Sequence, residues 1–492
     1  MIFKILKPVC FFSTFIILLI SCNDKKEVQS NLLHPNIVWI IAEDMSQDLA
    51  CYGNDLVKTP VLDDLANHGI RYENAFSNGP ACSPSRTALI TGYYQNSIGA
   101  HHMRYPDSLM PALPESVIPM HVLLKEKGYQ TANITSKHGT GKTDWLFAYN
   151  PKTYDKSTWD ELDKKSPFFA RICLGLTHRG FSRDTKNPIN PDSIVIPPYY
   201  PNHIVSREDW AGYFESIQKL DGQVAGIINE LKSKKLLDNT LIFFFSDHGR
   251  PMIRGKNFLY ESGLKIPLIV TTFDDNIRKT LLPKDAVNSQ LVSLIDVTAS
   301  TLNLAGENKY KLQGKPFLGT GIKENKAFIY GAVDRIGNVN FKSRTVRGKQ
   351  YRYIRNYNTN VSINSGTTAY RRANHPIYHL LNILNDQGKL DEHQAKLVNN
   401  MVYEELYDVV NDPYELNNLA AKPEWKMTLN EMSENLDNWM RTIDDKGLKA
   451  DSNEVIAAFE NYGKITFKQN EKAIEELSNK VLMSVEKQRL NN

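Results

Sequence analysis

The sequence predicts an α/β protein: a large, mostly parallel sheet sandwiched by helices, with a smaller antiparallel sheet in a C-terminal subdomain. Three observations carry this. Continuous apolar runs recur at Asn36–Ala42, Pro167–Leu174 and Leu241–Phe245, the texture of strands buried on both faces. Helical spacing fills the stretch between the last two, and alternating strand and helix argues for parallel pairing. After about Gly337 the texture turns to Arg, Tyr, Asn and Thr in short alternating runs, which suits antiparallel strands.

Taken in order, Asn36–Ala42 ends abruptly in Glu43-Asp44. Acids at the carboxyl end of a buried strand stand where α/β sheets place their chemistry. Pro60 to Gly69 reads as an amphipathic helix with Leu62, Leu65 and Ala66 on one face and Gly69 as its stop. Tyr213 to Lys235 carries an apolar stripe from Ile217 to Leu231. The run Leu241–Phe245 leads through Ser246 to another acid, Asp247, and Ile266–Val270 reads as a further strand. Arg344–Arg347 and Tyr351–Arg355 are short strands, followed by helices, of which Glu471–Arg489 reads as a solvated packing helix. The expected division is 35–337 for the catalytic part and 338–492 for the subdomain.

Composition excludes several classes. The 492 residues hold 59 Lys+Arg against 55 Asp+Glu, so the net charge of +4 gives no reason to expect a nucleic-acid partner. With 41% apolar and 23% charged residues the bulk is globular, not disordered, collagenous or polytopic membrane protein. The five cysteines, Cys10, Cys22, Cys51, Cys82 and Cys173, show no C-x-x-C spacing and no disulfide framework. At the N-terminus Lys4 and Lys7 precede an apolar run, Val9–Ile20, too short to span a bilayer comfortably. It ends in Leu19-Ile20-Ser21-Cys22, which resembles a bacterial lipobox. That implies a signal peptide at 1–21, lipidation of Cys22, a tether at 22–34 and a membrane-anchored place in the cell envelope.

The sharpest chemical feature is Cys82-Ser83-Pro84-Ser85-Arg86, followed by Thr91-Gly92. Pro84 suits the first turn of a helix. A cysteine just before that turn faces free N–H groups and the positive dipole end, which favour its thiolate. Arg86 adds a cation, so the segment is built for a nucleophile and an anion. The bland alternative is a buried structural cysteine ahead of a helix.

The pattern C-S-P-S-R-x-x-x-x-T-G resembles the sequence by which sulfatases direct oxidation of their cysteine to formylglycine. The resemblance continues in N-I-V-W-I-I-A-E-D, in Phe243–Gly249, Lys256–Val270, Leu291–Ala305 and Glu405–Ala420, and covers roughly Pro35 to Ala420. It implies that a maturation enzyme converts Cys82 to formylglycine. It also implies a Ca²⁺ held by Glu43, Asp44, Asp247, His248 and position 82, although the family's first acid is usually Asp. The hydrated aldehyde would attack sulfur, expel the sugar or aryl oxygen, and then collapse to release sulfate. Arg86 and one lysine would serve the nucleophile side. Gly128-Tyr129-Gln130-Thr131 leads to Lys137-His138 in that role, with Lys142 as a rival. His178, after the Pro167-Phe168-Phe169 strand, would protonate the leaving oxygen beside Lys256.

The implied substrate is a sulfated oligosaccharide cut from a polysaccharide, ulvan first and a heparin-type glycan second. His101, His102, Arg104 and Arg335 would line the sugar pocket, and Arg344 and Arg347 would add cations for a uronic acid. Alternatively, these arginines pair with acids of their own subdomain. A phosphodiesterase or phosphonate monoester hydrolase of the same superfamily, and a glycan-binding lipoprotein without turnover, are the other readings.

Overall fold

The strand predicted at Asn36–Ala42 lies in the middle of an eight-stranded sheet, in a computed structural model that describes residues 34–135, 137–149, 153–319, 321–322 and 325–491. Residues 1–33, with the expected signal peptide, Cys22 and nearly all of the tether, lie outside the described residues. In chain order the first half comprises β1 (Asn36–Ala42), α1 (Pro60–Asn67), β2 (Gly69–Phe76), α2 (Cys82–Thr91), α3 (Met120–Glu126), β3 (Gln130–Ile134), β4 (Phe168–Leu174) and α4 (Ile204–Ser233). Then come β5 (Thr240–Ser246), α5 (Glu261–Leu264), β6 (Lys265–Ile266), β7 (Leu268–Thr272), α6 (Asp275–Leu281), β8 (Val287–Ser293) and α7 (Leu294–Leu304). The remainder is β9 (Ile329–Ile336), β10 (Val339–Arg347), β11 (Tyr351–Asn356), α8 (Ala369–Arg372), α9 (Pro376–Asp386), α10 (Glu392–Val398), β12 (Glu404–Asp408), α11 (Lys426–Thr442) and α12 (Asn453–Asn491).

The large sheet runs β3-β4-β1-β5-β7-β2-β6, with β8 added on β2. β3, β4, β1 and β5 are parallel neighbours. Period-two geometry explains the continuous apolar run of β1. Val38, Ile40 and Ala42 enter one core with the Ile217–Leu231 stripe of α4, while Ile37, Trp39 and Ile41 enter the other beneath α7. The strand expected at Ile266–Val270 is split at Pro267, which has no N–H for the ladder, and both pieces run antiparallel to their partners. β2 escaped the sequence reading because Arg71, Glu73 and Asn74 interrupt its apolar pattern.

The second sheet is antiparallel, in the order β12-β11-β10-β9. It begins at Ile329, ahead of the boundary expected near 337, and it shares one unit, His34–Asn492, with the large sheet. Register places the site. Ala42 pairs with Ser246, so Glu43-Asp44 and Asp247-His248 leave adjacent strand ends side by side. Among the described residues no helix is long and apolar enough to cross a membrane.

Candidate active site

Cys82 is the first residue of α2, with Ala81 as N-cap. Each neighbour in its segment has a physical task. The Ser85 hydroxyl donates to the Asp247 carbonyl, tying the helix to the end of β5. Ser83 donates to Asp144 at 2.7 Å. Arg86, fully enclosed, donates through Nε to Asp247 Oδ2 at 2.9 Å and approaches Glu43 Oε1 at 3.5 Å. These bonds hold the Cys82 side chain against the ends of β1 and β5, where it is 1% exposed.

Around its Sγ stand Lys256 Nζ at 3.1 Å, His248 Nε2 at 3.3 Å and Asp44 Oδ1 at 3.6 Å. His248 sits 3.0 Å from Asp44 Oδ1, and its Nδ1 lies 3.0 Å from the Gly249 carbonyl. With one ring proton on Nδ1 donated to that carbonyl, the imidazolium donates its second, on Nε2, to Asp44, and loss of that proton would free Nε2 as a metal ligand. Burial works to raise the Asp44 carboxyl, but Lys256 and His248 overcome it and hold it well below the usual carboxylate range. Burial likewise opposes ionisation of Asp247, and Arg86 and His248 prevail. The same acids push His248 up to about 10 against its own burial. This nest of buried carboxylates therefore demands positive charge.

The ligand atoms of Asp44, Cys82, Asp247 and His248 lie within 4.8 Å of one another. Oxygens bound to one Ca²⁺ at roughly 2.3–2.6 Å are separated by at most about 5 Å, so the cluster has the dimensions of a coordination shell. Two carboxylates suit a hard cation, and an oxygen at position 82 would suit it better than sulfur. The residues fit the ion. Glu43 is placed otherwise than expected. Its carboxylate takes Lys142 at 3.0 Å and Arg86, and it is not among the clustered ligand atoms.

Of the two candidate lysines, Lys142 is the one that enters the cavity. Its ammonium lines the same cavity as Cys82, Lys256 and His178, and Cys82 and Glu43 raise it despite burial. Lys137 is exposed, and the His138 ring lies against Gly226 of α4. Lys137 and His138, expected in the site, are thus placed outside the cavity, and Lys142 stands in it. The loop makes the difference. Lys137 and Gly141 both adopt positive φ, and the chain doubles back so that the later lysine points inward.

On the opposite side His178 Nε2 is 3.4 Å from Lys256 Nζ and 4.0 Å from Asp44. Its Nδ1 lies 3.3 Å from the Arg179 carbonyl, so Nε2 is the nitrogen free to exchange a proton. Asp44 pulls the imidazolium up, but burial and Lys256 leave it below its ordinary value. The cavity holds about 340 Å³. Arg104 lines it, paired with Asp144.

The other sugar-pocket expectations are corrected. His102 Nε2 donates to Asp451 at 2.9 Å, Arg335 clasps the same carboxylate, and His101 stacks edge-on against His102. Arg335, His101 and His102 thus form a structural knot outside the cavity. His101, His102 and Asp451 cluster as metal ligands would, but Arg335 already neutralises the acid. Arg344 is buried against Asp334 and Asp445, and Arg347 against Glu261. Sequence reasoning missed Tyr370, Arg371 and His375, and also Tyr462 and Thr466 from α12, all of which line the cavity. No spacing marks them, because they reach the site from segments more than a hundred residues beyond the nearest strand of the large sheet or from the stretch just after β11.

A family model described as Sulfatase matches residues 35–307. An ulvan-active sulfatase of Formosa agariphila is 32% identical over 464 residues, spanning 84% of this chain and 75% of that protein. Human N-sulphoglucosamine sulphohydrolase is 24% identical, covering 82% of this chain and 89% of its own. A solved protein in complex with its substrate, D-glucosamine-2-N,6-O-disulfate, shares the fold with a TM-score of 0.58 at 18% identity, over 85% of this chain and 100% of that one.

Proposed function

The chain belongs to the sulfatase family and is a sulfuric ester hydrolase, and on that premise we propose that it removes sulfate from polysaccharide-derived oligosaccharides, ulvan fragments first, with a formylglycine made from Cys82 and a bound Ca²⁺. The observation that carries this reading is the placement of Cys82 at the start of α2 within reach of Asp44, His248 and Lys256. Formylglycine would supply a hydrated aldehyde whose hydroxyl attacks sulfur. Ca²⁺, held by Asp44, Asp247 and His248 with the oxygen at position 82, would supply Lewis acidity toward the sulfate oxygens.

The chain's own residues do the rest. Lys142 and Lys256 flank the position of the reacting sulfur and balance charge that spreads onto sulfate oxygens. Arg86 lies deeper and fixes Asp247, which makes it a positioning residue for the ligand set. His178 presents Nε2 to the leaving oxygen and delivers a proton there, with Lys256 beside it. The cavity is of a size for a chain end and not for a long polymer track.

The 32% identity to an ulvan-active sulfatase puts ulvan first; the N-sulphoglucosamine relative supports a heparin-type glycan as runner-up. The lipobox-like segment ending in Cys22 supports an envelope enzyme anchored by lipid. A panel of ulvan, carrageenan, fucoidan and heparin oligosaccharides, assayed for released sulfate before and after lyase digestion, tests the substrate. Activity confined to small aryl sulfates, or higher on intact polymer than on cut oligosaccharides, would overturn it.

A further inference from the structure

We propose that Arg371 and His375 form a second anion-binding subsite in the cavity, which takes a carboxylate or further sulfate on the sugar next to the reacting ester. The inference deepens the proposed function and rests on it. Five strong cations line the cavity, and four have carboxylate partners: Arg104 with Asp144, Lys142 with Glu43, Arg179 with Asp209, and Lys256 with Asp44. Arg371 has none among the described residues, although it is 4% exposed. Burial and the nearby Arg179 bring its guanidinium down to about 10, so it is still protonated at neutral pH. An enclosed charge without a counter-ion is unfavourable unless an anion arrives to meet it.

The hydrogen-bond inventory points the same way. A guanidinium has five N–H donors. In Arg371, Nη1 donates to the Lys256 carbonyl at 2.9 Å, Nη2 to the Met252 carbonyl at 2.9 Å, and Nε to His375 Nε2 at 3.4 Å. One N–H on each terminal nitrogen remains for the oxygen of a carboxylate or sulfate. Because His375 Nε2 accepts from Arg371, the ring carries its proton on Nδ1. That nitrogen is buried and has no partner, and the ring lines the cavity at 1% exposure. Position completes the argument. Arg371 grips the backbone of Lys256, whose side chain reaches Cys82, so the subsite lies one lysine side chain from the nucleophile.

The test compares three probes: a sulfated disaccharide with a uronic carboxylate, its carboxyl-reduced form, and a neutral-sugar disaccharide carrying two sulfates. Binding is measured calorimetrically on Cys82→Ala protein, which needs no turnover, and kcat/KM on the active enzyme, with an aryl sulfate as a substrate that lacks a second anion. Carboxyl reduction should weaken binding at least tenfold if the subsite takes a carboxylate, and tight binding of the disulfated probe instead would assign it to sulfate. Arg371→Gln and His375→Gln should raise KM for the doubly charged substrate at least tenfold more than they raise KM for the aryl sulfate, and Arg371→Lys should recover part of that difference. Equal binding of all three probes to the Cys82→Ala protein, or equal losses on saccharide and aryl sulfate in variants of unchanged Tm, would overturn the subsite. Aryl sulfate turnover by the unaltered enzyme reports separately on the sulfatase reading.

Discussion

Lys142 donates to Glu43 Oε2 at 3.0 Å, while Arg86 approaches the other oxygen of the same carboxylate at 3.5 Å. The longer acid at position 43 thus spans two cations beneath the nucleophile. Lys142→Ala should lower kcat/KM by about 10²–10³, the usual cost of removing one preorganised charge donor. Lys137→Ala should stay within about twofold. The reverse ranking in steady-state assays would return the role to Lys137.

Position 82 is expected as formylglycine whenever a maturation enzyme is present. Peptide mass spectrometry of the segment containing it should show the aldehyde or its hydrate, and Cys82→Ala should abolish turnover. Full activity with an intact Cys82 thiol would sink the assignment.

One divalent cation should bind at Asp44, Asp247 and His248. At about 100 times its Kd it adds roughly 2.7 kcal/mol to folding, visible as a higher Tm than in chelated protein. Asp247→Asn should remove most of that increment together with activity. A Tm and rate that ignore exhaustive chelation would refute the site.

His178→Gln should hurt a sugar sulfate far more than an activated aryl sulfate, by at least about tenfold in the ratio of the two kcat/KM values, because a poor leaving alcohol depends on the proton that Nε2 delivers. Parallel losses would show that His178 only orients substrate.

Much of this site was readable in the residues. The acids at the ends of β1 and β5, and a cysteine opening a helix, follow from strand texture and from Pro84. What was not readable depends on distant partners. Arg335, Arg344 and Arg347 look alike in sequence, yet each meets an acid 86 or more residues away or across its own sheet. Nothing local distinguishes them from Arg371, which meets none. Similarly, Lys137 and Lys142 are separated only by a loop whose backbone path decides which one turns inward.

Asp451 anchors the approach to α12. A hydrogen bond from His102, opposed by burial and joined by Arg335, holds its carboxyl well below the usual value. A depressed acid adds stability that is complete above its unfolded value near about 3.9 and is lost as pH falls toward the folded value. Asp451→Asn should therefore lower Tm by a few degrees at neutral pH, and the gap to the parent protein should close below about pH 4. A gap that persists unchanged at pH 2–3, in parallel melts, would show that packing and not charge provides the anchor.

Cys82 is enclosed by residues that come later in the chain, Lys256 at its sulfur and Tyr462 and Thr466 of α12 across the cavity, and the chain is synthesised from the N-terminal end. With Cys82 1% exposed in the folded chain, an enzyme that oxidised it would have to reach it before the fold closes, and the reaction would then compete with folding. If position 82 matures as proposed, molecules that fold first would keep the thiol and lack the nucleophile. In a host with too little maturation enzyme, a purified preparation would be a mixture of such molecules with active ones, equal in melting behaviour and size. Its specific activity would then report the speed of folding during synthesis as much as the chemistry of the site.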